Sequence, residues 1–193
     1  MNQNPIENQR PESREQLAIR ITIATPEDWE AYKELRLLAI TSEDKEMFDV
    51  SKHPDKVEKE QNRTEQEWRD LLSQSDRFVV LYWEGVKAIG MGVISKKEKY
   101  WELGGGYVKK EFQGKKIGQK IFAKRLQEIQ IRGGTKVRTG MEETNKRSIH
   151  IAEIFGFKQT QEDLDEVGDF EMELKDVSGP EIAKKIEEIL NAG

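Results

Sequence analysis

The sequence predicts an α/β (α+β) domain on a mixed, mostly antiparallel central sheet of about six to seven strands, with helices on both faces. Three observations predict it. Short apolar runs that read as strands recur along the chain, amphipathic runs at helical spacing lie between them, and glycine-, asparagine- or proline-bearing turns separate the two. The 193 residues suit one domain, and with 36% charged residues and a mean hydropathy of −0.81 the apolar positions are confined to these blocks.

Residues 1–16 are polar, with Pro5 and Pro11, and read as a flexible arm. Residues 17–23 alternate as a strand, and Thr25-Pro26-Glu27-Asp28 then opens a helix carrying Trp29, Tyr32, Leu35, Leu38 and Ala39 on one face. Residues 42–61 are highly charged and weakly periodic, a loop or a marginal helix. Thr64-Glu65-Gln66-Glu67 is a capping box that opens a helix with Trp68, Leu71 and Leu72. Residues 78–83 and 88–95 form a hairpin about Glu84-Gly85. Residues 100–108 are the next strand, and the glycines Gly104, Gly105 and Gly106 inside it suggest a bulge or a close approach by something else. Residues 117–131 are an amphipathic helix stopped by Gly133-Gly134, and 135–139 a strand. Asn145 opens a short helix that Gly156 ends, residues 157–161 and 167–174 form a final strand pair, and Ser178-Gly179-Pro180-Glu181 starts a last helix striped with Ile182, Ile186 and Ile189. The expected organisation is an arm over 1–16, a domain over 17–176 and a helical extension over 177–193.

Composition excludes several functions. There is no cysteine, hence no disulfide, thiolate nucleophile or cysteine zinc site, and His53 and His150 lie far apart with no ligand partner in sequence, so no metal is expected. No apolar run has membrane-spanning length and the N-terminus lacks signal-peptide character, so no membrane partner and a cytoplasmic location are expected. Residues 109–125 hold seven basic residues and one acid, a net +6 that leaves −11 elsewhere in a chain of net charge −5. A basic patch on an acidic chain suggests a local anion site; the overall acidity, and the lack of aromatics interleaved with the lysines, argue against nucleic acid as a partner.

The most informative passage runs from the triple-glycine strand into the helix at Ile117. A glycine-bearing helix start offers amides without helical acceptors, Gly114 and Gly118 allow close backbone approach, and Lys115 and Lys116 add charge. The same pattern also fits a charged loop capping a core helix. Gly-x-x-x-x-Gly-Lys-Ser/Thr and Gly-x-Gly-x-x-Gly are both missing, since Gly90-Met91-Gly92 is followed by Ser95 at the third glycine and lies within a strand.

Val108, four residues, then Gln113-Gly114-Lys115-Lys116-Ile117-Gly118 resembles the cofactor signature of the GCN5-related N-acetyltransferase (GNAT) family, with Lys116 where glycine is usual. Trp101-Glu102-Leu103-Gly104-Gly105 resembles the family's fourth strand, and Asn145 to Ser148 followed by Gly156-Phe157 its later segment. The resemblance spans roughly 17–174 and implies an acyl-CoA N-acyltransferase-like fold, acetyl-CoA as acetyl donor, and transfer to a primary amine of a small molecule or peptide, by a monomer or homodimer. It implies that Val108 and the adjoining Tyr107 border the pantetheine arm, with the Val108 N–H polarising the acetyl carbonyl. The amides of Gln113, Gly114, Lys115, Lys116, Ile117, Gly118 and Gln119 would hold the pyrophosphate. Asn145 and Ser148 would contact the pantetheine. A helix-start conformation is expected to suit Lys116.

Acetyl transfer to an amine needs a base, an oxyanion donor and an acid for the thiolate. Glu102, in an otherwise apolar strand beside the expected cofactor site, is the candidate base; its alternative is a glutamate paired with a lysine across strands. No acid is found: where the family often has tyrosine, one turn after Ser148, this chain has Ala152, and His150 faces another side. The acids Glu162, Asp163, Asp165, Glu166, Asp169, Glu171, Glu173 and Asp176 suggest a cationic acceptor, or else a solvated hairpin tip. Ala152 is the feature that favours the alternative function, a non-catalytic acetyl-CoA sensor or scaffold.

Overall fold

The computed structural model describes residues 18–160 and 170–192. Its centre is a seven-stranded sheet in the order β1-β2-β3-β4-β5-β7-β6. The strands are β1 (Ile19–Ile23), β2 (Arg77–Glu84), β3 (Lys87–Lys96), β4 (Trp101–Val108), β5 (Val137–Met141), β6 (Lys158–Gln159) and β7 (Phe170–Leu174). Every neighbouring pair is antiparallel except β4 and β5, which run parallel. The helices are α1 (Trp29–Thr41), α2 (Pro54–Gln61), α3 (Glu65–Leu72), α4 (Ile117–Ile131), α5 (Lys146–Ile154) and α6 (Pro180–Asn191).

Each face of the sheet carries its own core. On one face, Val80, Ile89, Ile94 and Leu103 pack beneath Ile121, Leu126 and Ile129 of α4 and Ile186 of α6. On the other, Val79, Leu81, Met91 and Tyr107 pack beneath Tyr32, Leu35 and Ala39 of α1 and Trp68 of α3. The strand alternation that separates Val79 from Val80 is the period-two pattern of a sheet buried on both sides.

Local chemistry sets the helix starts. Thr64 Oγ1 accepts from the Glu67 amide at 3.3 Å while the Thr64 amide donates to Glu67 Oε2 at 2.7 Å, the reciprocal capping box expected there. Thr25 begins instead with a 3-10 turn (Pro26–Asp28), and α1 follows at Trp29. The charged stretch 42–61 resolves into two 3-10 turns and, from Pro54, the α2 helix, because proline at the first helical position stabilises a start that apolar periodicity does not announce. The strand expected over 135–139 is β5, two residues later. The segment from 177 packs on the domain: Val177 and Ile186 are buried in the α4-side core, and Gln130 of α4 donates to the Val177 carbonyl at 2.6 Å. Residues 1–16, and the acids Glu162, Asp163, Asp165, Glu166 and Asp169, lie outside the described residues.

Candidate active site

The site is made by two irregularities in the sheet. The first is a bulge. Val93 pairs with Gly104 but Met91 pairs with Tyr107, so Gly92 alone stands opposite Gly105 and Gly106. Gly105 has φ +55°, a backbone that L side chains rarely adopt, which is why glycine stands at that position. The second is a splay. β4 and β5 pair only over Trp101–Leu103 with Val137–Thr139, and beyond that point they part. Thr139 Oγ1 donates to the Leu103 carbonyl at 3.0 Å, closing the last rung.

A cavity of about 620 Å³ fills the splay and runs to the start of α4. Its walls come from β4, the 112–119 turn, one face of α4, the end of β5, and the residues that open α5; Met47 and Phe48 reach in from the α1 side. Tyr107, Val108, Gln113, Gly114, Lys116, Ile117, Gly118, Gln119, Asn145 and Ser148, all expected from sequence, line it; Lys115 does not, its ammonium lying 5.0 Å from the Phe112 ring.

The turn before α4 presents a run of backbone amides without acceptors among the described residues. The Gln113 amide closes a turn onto the Lys110 carbonyl at 3.2 Å, so the run of unpartnered amides starts at Gly114 rather than at Gln113. From there to Gln119 no backbone amide has an acceptor among the described residues, and Lys120 is the first to bond back, to Lys116. Gly114 has φ +82°, with open space where a Cβ would stand. Lys116 has φ +60° and ψ +8°, so the expectation of an ordinary helix-start conformation is corrected: lysine is held in the left-handed region, which suits the glycine usual there. The Lys109 amide bonds the Ile89 carbonyl on β3 at 2.9 Å, so strand alternation turns the Val108 amide and carbonyl to the other edge, into the splay. There the Val108 carbonyl accepts from Gln113 Nε2 at 3.1 Å.

Asn145 caps α5, its Oδ1 accepting from the Ser148 amide at 3.1 Å. Ala152 departs from expectation. It is fully buried, with Ser148 and Ile151 facing the cavity, so the position one turn after Ser148 points into the core. His150 is well exposed at the cavity rim. Glu102 does not line the cavity: it lies on the α1 face of the sheet, paired with Lys97 at 3.1 Å, while Leu103 beside it lines the wall.

The lining charge is one-sided. Lys116, Arg125, Lys146 and Arg147 contribute to it, and no carboxylate among the described residues does. Much of the basic segment is already committed elsewhere: Lys109 pairs with Glu34 at 2.6 Å, Lys110 with Glu43, and Lys124 with Glu128 at 2.8 Å. Arg125 ends the basic segment 109–125, and nothing in the spacing of Arg125, Lys146 or Arg147 marks them in sequence as cavity residues. Arg125 is buried, and burial pushes its guanidinium down to about 10, so it remains cationic at neutral pH. The acids expected to draw a cation are also committed: Glu173 is buried against Lys136 at 2.8 Å and Arg138 at 2.9 Å, and Asp176 accepts from the Ser178 amide at 3.0 Å. No group of residues fit to hold a metal occurs among the described residues, and no helix there is long and apolar enough to cross a membrane.

The family model of the acetyltransferase (GNAT) family matches residues 37–157. Solved structures share the fold. A PaiA N-acetyltransferase from Thermoplasma acidophilum, in complex with coenzyme A, superposes with a TM-score of 0.67 at 19% identity, over 82% of this chain and 99% of that one. YncA from Salmonella typhimurium, with acetyl-CoA as its cofactor, gives 0.62 at 19% identity over 82% and 94%. The ribosomal-protein-S18-alanine N-acetyltransferase from Escherichia coli gives 0.60 at 13% identity over 84% and 97%. The search of curated proteins found no match.

Proposed function

The chain belongs to the acetyltransferase (GNAT) family, and from that premise we propose that it transfers the acetyl group of acetyl-CoA to a primary amine of a small molecule or peptide. The observation that carries the reading is the run of acceptor-free amides from Gly114 to Gln119 opening onto a cavity with basic and no acidic lining. That lining fits a donor with a pyrophosphate at one end and a neutral arm behind it. Gly114, Lys116, Gly118 and Gln119 hold the phosphates, Asn145 and Ser148 border the arm, and Tyr107 and Val108 border its reactive end. When bound, acetyl-CoA supplies a thioester carbonyl open to an amine.

The chain's own part is to orient, polarise and move protons. The Val108 amide points into the splay and donates to the oxygen on which negative charge grows. Glu102 takes the ammonium proton through a water. It shares the α1 face with Gly104, a lining residue where a Cβ would meet nothing within 4 Å, which leaves room beside the strand for that water. The pairing with Lys97 keeps Glu102 at that end of the strand. Ala152 has no proton to give to a departing sulfur, so water or the amine itself would supply it.

Thiol release from acetyl-CoA across a panel of primary amines tests the proposal, and a cysteine-free chain contributes no background thiol. Amine-dependent release is the expected result. Binding of acetyl-CoA with no release for any amine contradicts transfer and establishes a sensor or scaffold, the reading that buried Ala152 favours.

A further inference from the structure

Arg125 is the one cation in the buried stripe of α4, among Ile121, Phe122, Leu126 and Ile129. Its guanidinium carbon lies 5.0 Å from the Phe122 ring, and the side chain runs beneath β3 and β4 where glycines leave room for it. A Cβ on Gly92 would stand 2.8 Å from Nε, and one on Gly106 3.7 Å from Nη2. Nη1 donates to the Gly104 carbonyl at 3.2 Å and to the Val93 carbonyl at 3.4 Å, the residues that begin the bulge. Stapling the bulge accounts for Nη1 alone. Nε is buried with no acceptor, Nη2 makes no hydrogen bond, and no carboxylate pairs with the group among the described residues. An unpaired cation this deep is costly unless something outside the chain meets it. Arg125 also lines the cavity, with its guanidinium at the Gly104–Gly106 stretch where β4 leaves β5. By the reading above, that is the end where the acyl group and the amine meet.

We propose that Arg125 binds a carboxylate inside the cavity, carried either by the acyl chain of the donor thioester or by the amine acceptor. The proposal rests on the cavity's being a coenzyme A site. A guanidinium suits this task better than an ammonium, because its remaining donors stay planar and directed while Nη1 holds the bulge. The other cavity-lining cations, Lys116, Lys146 and Arg147, belong to the α4 and α5 openings and not to the Gly104–Gly106 stretch, which leaves that end to Arg125.

The test uses the full chain with coenzyme A, acetyl-CoA and succinyl-CoA as calorimetric probes. Acetyl transfer to an amino acid is compared with transfer to its carboxamide. A donor carboxylate predicts that succinyl-CoA binds about tenfold or more tightly than acetyl-CoA, a gap that Arg125→Gln closes and Arg125→Lys partly keeps. An acceptor carboxylate predicts equal donors and a KM about tenfold or more lower for the amino acid than for its amide, again lost in Arg125→Gln. If coenzyme A binds but neither comparison shows discrimination, the inference is overturned and Arg125 is only the staple of the bulge. If coenzyme A itself does not bind, the acetyl-CoA reading fails first and this inference falls with it. If the glutamine variant does not fold, the lysine variant decides: a gap reduced in folded Arg125→Lys supports the assignment, and a gap left unchanged overturns it.

Discussion

Lys116 shows how a residue's place in a turn can be legible in sequence while its conformation is not. The sequence indicates an anion site at 113–119, and the acceptor-free amides are there from Gly114 onward. It does not indicate that the position itself is left-handed, because φ follows from the turn as a whole and not from the residue that fills it. At φ +60° a lysine carries a steric penalty that glycine avoids. Lys116→Gly should therefore raise unfolding stability by about 1 kcal/mol, partly offset by glycine's greater freedom in the unfolded chain. Chemical denaturation checks this, and a variant less stable than the parent contradicts the strain. Glu102 is the second case. Its place on β4 was legible, whereas its pairing with Lys97 and its separation from the cavity wall depend on the β3–β4 turn and on strand alternation. If it works through a water, Glu102→Gln should lower kcat by about 10²-fold or more with unchanged acetyl-CoA affinity. An unaltered pH–rate profile would leave Glu102 only its ion pair.

At the scale of elements, punctuation by caps and glycines was the most legible feature. Thr64 and Asn145 cap the helices expected of them, Gly133 and Gly156 end theirs with positive φ, and the triple glycine marks the bulge. The α2 helix and the neighbouring 3-10 turns were not legible, since their apolar residues are too few to show a period. Nor was the rotation of α5 about its own axis. Ser148 and Ala152 are one turn apart, yet Ser148 borders the cavity while Ala152 sits in the core with its carbonyl accepting from Phe155 and Phe157. Ala152→Tyr should then overpack that core and cost roughly 1–3 kcal/mol without raising turnover. A faster variant with an unchanged melting temperature would mean that the position does face the thioester. The same logic makes α6 part of the fold. Ile186 is buried against α4, and Ile186→Ala should cost about 2–5 kcal/mol, whereas a true appendage would tolerate it with no loss.

At the scale of the whole molecule, ion pairs of mixed sign run through the described residues, and the cavity is the place where only one sign is presented. Basic groups line the cavity, and the acids that sequence alone would assign to a substrate-attracting surface are partly spent inside the sheet. Burial would push the Glu173 carboxyl up, but hydrogen bonds and charge from Lys136 and Arg138 outweigh it and hold the group below the ordinary carboxylate range. Glu128 behaves the same way between Lys124 and Arg132. A depressed folded value means that the unfolded chain binds protons first as pH falls. The stabilisation is thus complete above the ordinary value of 4.5 and is lost as pH drops through the lower folded values. Stability followed from pH 7 to 3 should fall more steeply in the parent than in Glu173→Gln below that value, and parallel curves would contradict the buried network. The central claim is the location of the donor's phosphates, and the most direct measurement is calorimetric titration of acetyl-CoA into the parent, Gly114→Asn and Gly114→Asp. Both side chains tolerate the left-handed backbone at φ +82°, and the space for a Cβ is open, so both variants should fold. The two differ chiefly in charge. With the pyrophosphate on the amides from Gly114 to Gln119, the aspartate should weaken binding about tenfold or more relative to the asparagine. Equal affinities for the two variants, both folded, would place the phosphates elsewhere and contradict the account.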